Sequence, residues 1–401
     1  MRKITDPKVN QRECAILRSI FQGVVALFLG FIAAFDAEGK AVDPTILFSK
    51  VFPIKNLAEL SINHSYGSVK LVGSSLDKVI VVVKRSKNPV SESVQASTGG
   101  KPNVAPSVPP AVPVVGGMAV PESELLQVRV EMQKGKLELY TGINQKLSLE
   151  ERLKLKKTGS LRLDLEIQAP QHLEAVVWAA EGQVQILKWR EKVDIRLRSG
   201  SVLVKDLKAS EMMVLCPDCS VNLRDIRAKV RVFAGDRAVS LNDVESKSLH
   251  VETVSGSILA EKVNGDQIFV TRRGEIKGVE LGGKIEFKGE EANVEFSRVR
   301  GAITGEVSKG DIALDWDELV VKEEGSIRNR LGKITVAFPE SSRVRLEVDA
   351  VEKGIEAVLG KLWAKTTTVA GRKHLFLDLG VTHSETLRVI SEAGRVAVLV
   401  K

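Results

Sequence analysis

Eight related phrases recur through the middle of the chain at a nearly constant period. They open at Gly182 (GQVQILKW), Gly200 (GSVLVKDL), Cys219 (CSVNLRDI), Arg237 (RAVSLNDV), Gly256 (GSILAEKV), Gly274 (GEIKGVEL), Ala292 (ANVEFSRV) and Gly310 (GDIALDWD). Successive openings lie 18, 19, 18, 19, 18, 18 and 18 residues apart. A period held over seven intervals points to one small unit stacked on copies of itself.

Counting from the opening residue, the second position is Val184, Val202, Val221, Val239, Ile258, Ile276, Val294 and Ile312. The fourth is Ile186, Val204, Leu223, Leu241, Ala260, Gly278, Phe296 and Leu314. That alternation is a period of two, the mark of a strand with one buried face. The seventh position is apolar from Trp189 to Val299 and breaks at Asp317. A second short strand occupies the later half of the unit, as in VDIRL from Val193, KVRVF from Lys229, LHVET from Leu249 and QIFVT from Gln267. Two short strands cannot enclose a core. Stacked coils can, each hydrogen-bonding to the next at about 4.8 Å, with equivalent side chains forming interior ladders. The expected fold is therefore all-β, a single parallel β-solenoid of about 18-residue coils that wind in one direction. Gly182, Gly200, Gly256, Gly274 and Gly310 mark its corners, where the backbone needs positive φ or close approach.

Outside the regular stretch the phrase returns at irregular spacing, at Gly67, Gly135, Gly159, Gly332 and Gly394. Residues 88–122 hold seven of the 13 prolines, with Ser and Gly. They read as a disordered insertion, because proline cannot donate to a ladder. The division that follows is 1–37, a signal peptide or signal anchor; 46–87, the first solenoid coils; 88–122, the insertion; 123–181, coils with a short helical decoration at LSLEERLKLKK; 182–330, the regular repeats; and 331–401, C-terminal coils and cap. Residues 351–362 suit either strand or helix. The first segment rests on Arg2, Lys3, Lys8, Arg12 and Arg18 ahead of a hydrophobic helix over residues 20–35, which Asp36 and Glu38 follow. That layout predicts export, with Ala33, Ala34 and Ala37 offering cleavage positions. Cleavage or retention as an anchor stays open, and so does the final address: periplasmic, membrane-anchored or cell-surface.

No constellation assigns catalysis, a metal or a cofactor. His64, His172, His250, His374 and His383 are scattered, and no G-x-S-x-G or Walker loop is present. The glycine-rich GEIKGVELGG has no following helix to cradle a phosphate. Cys216 and Cys219 form CPDC with no second CxxC and no nearby histidine, so a local disulfide or two thiols at a turn are the readings. Asp206, Asp225 and Asp243 share the sixth position of three successive coils. Turn chemistry, a Ca²⁺ column and a pair of acids for polysaccharide cleavage all fit three stacked carboxylates. The turn reading leads, since Lys205 and Arg224 adjoin them and the column breaks to Lys262, Glu280 and Arg298. A net charge of +8 is spread along the chain, and two tyrosines offer little base stacking, so nucleic acid is not an expected partner.

The repeated phrases, the leading SINHSYGSVKLVG and the closing LRVISEAGRVAVLVK together resemble the bacterial putative-adhesin family across residues 57–401, interrupted by the insertion. The resemblance implies a right-handed parallel β-solenoid and carries over no catalytic residue. The expected function is an exported, non-enzymatic cell-envelope protein, a rigid scaffold or adhesion surface for a protein or glycan. The membrane would be met only through the N-terminal segment, and copies could associate through the solenoid ends. The alternatives are a polysaccharide-acting β-helix enzyme, which needs longer loops, and a bactofilin-like self-assembling protein.

Overall fold

The computed structural model describes residues 46–86, 126–143, 148, 150, 162–319, 324–351, 354–360, 362–379 and 385–401. The expected N-terminal helix, the proline-rich insertion and nearly all of the LSLEERLKLKK segment lie outside the described residues, as does His383. Two compact units divide after Leu47, and the fold set out below is that of Phe48–Lys401.

Every element assigned among its described residues is a β-strand. Glu174–Trp189, Val193–Cys216, Asp218–Ala234, Val239–Thr253, Ile258–Gly282 and Ile285–Arg300 each pair in parallel with the next. The second-position ladder runs Val184, Val202, Val221, Val239, Ile258, all at most 1% exposed. It resumes through Val294, Ile312, Ile334 and Val396. The 19-residue coils carry their extra residue at one corner, where register shifts between Lys208 and Glu211 and between Ser246 and Leu249. A bulge there keeps the buried face buried, since a one-residue slip along a strand would turn every side chain over.

The interior is graded by size. Phe287 meets Phe296 edge to face at 5.7 Å, and Phe269 lies 6.2 Å from Phe296. Room for these rings comes from Gly278 and Gly305, where an added Cβ would sit 2.8 Å from Phe296 and 2.3 Å from Phe287. The glycine in the fourth-position ladder is thus a packing complement. The seventh-position ladder does not break. Val299 is registered with Trp316, so the strand slips by one residue and Trp316, 2% exposed, takes the place assigned to Asp317. Its Nε1 donates to the Gly301 carbonyl at 3.0 Å, as Trp189 Nε1 does to Leu173 at 2.8 Å.

Both ends depart from winding in one direction. Lys136–Ile143 and Leu163–Pro170 form a coil against Glu59–Ser74, on the side opposite Glu174–Trp189, although they come later in the chain than the coil they cover. At the other end, Thr386–Ser391 and Val396–Val400 slot between Gly325–Leu331 with Ile334–Phe338 and Val344–Val351 with Ile355–Val358. Antiparallel strands close each end: Lys78–Arg85 and Leu126–Gln133 at one, Arg372–Leu379 and Lys365–Val369 at the other. Reversing the chain over the last coil covers ladder groups that a parallel stack leaves unpaired. Gly135 accordingly belongs to a hairpin turn with Lys134, both at positive φ, and is not a corner. On the outer coil the residue registered with Gly67 is Leu163, and Gly159 lies outside the described residues. The ambiguous stretch over 351–362 contains a strand, Ile355–Val358.

Candidate binding surface

The corner column reads Gly182, Gly200, Cys219 by register, and it continues past Gly256 to Gly274 and Ala292. Gly182, Gly200, Gly274 and Gly310 have positive φ; Gly256 does not, but a Cβ on it would stand 1.9 Å from the Arg237 carbonyl. Cys216 and Cys219 are fully buried, with Cα atoms 5.4 Å apart and their sulfurs bonded, across the turn from one coil to the next.

Asp206, Asp225 and Asp243 lie at φ 55°, 55° and 54°, in the left-handed region. Lys188, Lys262, Glu280 and Arg298 take the same conformation at the same place in their coils. This column is thus a second corner. Its side chains are tied down laterally. Arg190 donates to both carboxylate oxygens of Asp206, at 3.0 and 3.2 Å, and to its carbonyl at 2.9 Å. Arg227 does the same for Asp243, reaching a carboxylate oxygen at 3.0 Å and the carbonyl at 3.2 Å, and also meets Glu245 at 2.9 Å. The guanidinium on Asp206 and the one on Asp243 oppose a chelated dication. Among the described residues no three His, Cys, Asp or Glu side chains form a metal-ligand group.

The four described histidines are not brought together. His172 is exposed, His250 stands 3.8 Å from Glu252 and His374 3.9 Å from Asp349. His64 is buried in the second coil, with Nδ1 2.6 Å from Thr141 Oγ1. Burial holds its pKa down at about 4, against the pull of the Asp164 carboxylate.

A different set of residues does converge. On the face built by the second strand of each coil, inward Ala175, Val177 and Ala179 alternate with outward Val176 and Trp178. Parallel register then sets Tyr140, Asn63, Trp178 and Arg196 side by side on four adjoining coils. Leu215 and Phe233 are registered with each other on the next two. Trp178 is 48% exposed and Leu215 41%. Arg196 lies over the Trp178 ring at 4.8 Å, its guanidinium held by Asp194 through bonds of 3.0 and 3.3 Å. Cation–π contact and a two-point ion pair together fix both planes. Beside Tyr140, Lys136 contacts Glu138 at 2.8 Å and Glu59 at 3.3 Å, and those bonds raise its pKa, Glu138 first.

The same face changes character beyond Phe233. Its outward column continues as Glu252, Val270, Lys288, Glu306 and Arg328, and Lys288 pairs with Glu286 at 2.8 Å. The aromatic part is confined to one half. Flat rings with hydrogen-bonding groups between them, on coils about 4.8 Å apart, suit an extended ligand laid across the strands. Sequence reasoning passed over this column because Tyr140 and Asn63 reach it only through the reordered end. The available signal was Trp178, outward between two inward-facing residues.

The family model described as Toastrack DUF4097 matches residues 57–359. Among solved structures, one of a putative cell adhesion protein from Clostridium sporogenes ATCC 15579 is 9% identical. It aligns over 88% of this chain and 98% of that one with a TM-score of 0.17, too low to carry fold or function across. No curated protein matches the sequence.

Proposed function

Because the chain belongs to the Toastrack DUF4097 family, we propose that it is an exported, non-enzymatic cell-envelope protein whose stacked coils present a lateral binding face to a glycan or extended peptide. The observation that carries the reading is the outward column Tyr140, Asn63, Trp178 and Arg196, with Trp178 half exposed and its ring fixed under a guanidinium. An exposed indole on a rigid sheet presents a large apolar surface with little rotamer entropy left to lose on binding. Export is supported by the basic flank and apolar run at residues 2–35.

Two measurements test it. Protease accessibility on whole cells, with fractionation of the native host, should place the coils outside the cytoplasm; a cytoplasmic chain sinks the export half. Retention of the full chain on immobilised envelope polysaccharides should fall at least tenfold in Trp178→Ala, on the order of one buried aromatic contact. Retention unchanged by that substitution, or turnover of a polysaccharide, overturns the binding half.

A further inference from the structure

We propose that the chain forms a two-fold dimer by antiparallel pairing of its Lys365–Val369 strand with the same strand of a second copy. This rests on the C-terminal cap and is independent of the lateral-face reading. The strand is registered against Arg372–Leu379 on one side, and no other described strand is registered against it. All five of its residues, KTTTV, are exposed. Proteins blunt such edges with proline, bulges or central charges. Leu126–Gln133, an edge at the opposite end, carries Arg129 and Glu131 in its middle. Lys365–Val369 has only a terminal lysine.

The sequence of this edge is complementary to itself in one register. With the two-fold axis at Thr367, Thr367 faces its own copy, Thr366 faces Thr368 and Lys365 faces Val369. Threonine pairs are favourable across strands, and no cation meets a cation. Parallel pairing would instead bring Lys365 beside Lys365. The ladder ends at Val369, where Ala370 and Gly371 turn the chain back to Arg372, so Trp363, two residues before Lys365, falls near the partner's turn. Trp363 is 81% exposed, the highest value for a large apolar side chain among the described residues. Gly371 sits with Ala370 in the hairpin turn, both at positive φ, and a Cβ placed on it would meet nothing within 4 Å. One axis thus brings the exposed indole of each copy toward the hairpin turn of the other, with Val369, 60% exposed, beside it. An isologous interface of this kind closes at two copies and uses up both Lys365–Val369 edges.

The test uses the full chain in nonionic detergent, with Cys14, the one cysteine besides Cys216 and Cys219, replaced in a Cys14→Ser background. Sedimentation velocity over a concentration series should show a reversible dimer. Thr367→Lys sets two ammonium groups opposite one another and should abolish the dimer while keeping the parent's melting temperature at concentrations where the parent is monomeric. Trp363→Ala should weaken association at least about tenfold. Thr367→Cys should link two copies under mild oxidation, whereas Thr366→Cys, which faces Thr368, should link far more slowly. A monomer at every soluble concentration overturns the proposal. A dimer that survives Thr367→Lys, or equal linking at both positions, overturns it too. Should Thr367→Lys fail to fold, the pair of cysteine variants decides.

Discussion

Substituting Gly200 by alanine tests the corner that lets one coil follow the next. Gly200 has φ +135°, a region that L side chains rarely enter, and holding alanine there costs on the order of 1–3 kcal/mol. Space is a separate obstacle. The new Cβ would stand 1.8 Å from the Gly182 carbonyl oxygen and 2.8 Å from its carbon. Restoring ordinary contact requires the two coils to part by more than an ångström, on the order of a lost ladder hydrogen bond or two at about 1 kcal/mol each. Together these predict destabilisation of about 2–5 kcal/mol. The control is Gly360→Ala, at φ +60° with nothing within 4 Å of the added carbon, where only the conformational cost of about 1 kcal/mol applies. Urea unfolding, followed by the emission of the buried Trp189 in the neighbouring coil, compares the two variants. Equal destabilisation by both, or Gly200→Ala within 1 kcal/mol of the parent, would refute the reasoning that close coil-to-coil approach sets this position.

Four further outcomes follow from the interior and the second corner. The folded pKa of His64 lies below its unfolded value of 6.5, so the unfolded chain takes up the proton first as pH falls. Stability is full above about pH 6.5 and drops by about 3 kcal/mol on the way to pH 4. In His64→Leu with Thr141→Val that drop should be lost, as read from melting temperature against pH. Cys216 and Cys219 should resist alkylation in the native chain without reductant, and reduction should cost about 2 kcal/mol for so short a loop; rapid labelling of either without reductant contradicts this. Arg227→Ala removes the donors to Asp243 and its carbonyl and should cost about 1–2 kcal/mol, discounted for partial exposure. Calcium should leave the melting temperature of the parent unchanged.

The period and the alternation of apolar positions made the stacked all-β architecture legible, because Val202, Val221 and Val239 have no other way to be buried together. Order at the ends was not legible. Gly67 and Gly182 are registered neighbours, yet the chain between them leaves the stack, builds the coil beneath and returns. A phrase-by-phrase reading ranks coils by sequence, whereas the open ladder is closed by whichever strand can reverse over it. Trp316 was assigned the wrong rung for a related reason: a one-residue slip leaves no mark in composition. The left-handed corner was half visible, through aspartate at three coils, since short polar side chains tolerate that conformation. Lys188, Lys262, Glu280 and Arg298 share it because the coils above and below impose it. The aromatic face stayed hidden until Tyr140 and Asn63 were placed beside Trp178.

Spin-label distances along one register column test the stacking directly. Leu203 is linked by register to Asn222, Ser240 and Leu259, and Lys277 to Glu295, Ala313, Thr335 and Ala397. With one label at Leu203 and the other at Lys277, Ala313, Thr335 or Ala397, the separations should be about 19, 29, 34 and 38 Å, one 4.8 Å step per coil. The step from Thr335 to Ala397 is the sharpest, because it should be a single rung although the chain between them makes the whole C-terminal cap. A separation that scales with sequence distance, or an Ala397 label closer to Leu203 than the Thr335 label, would contradict the stacked order.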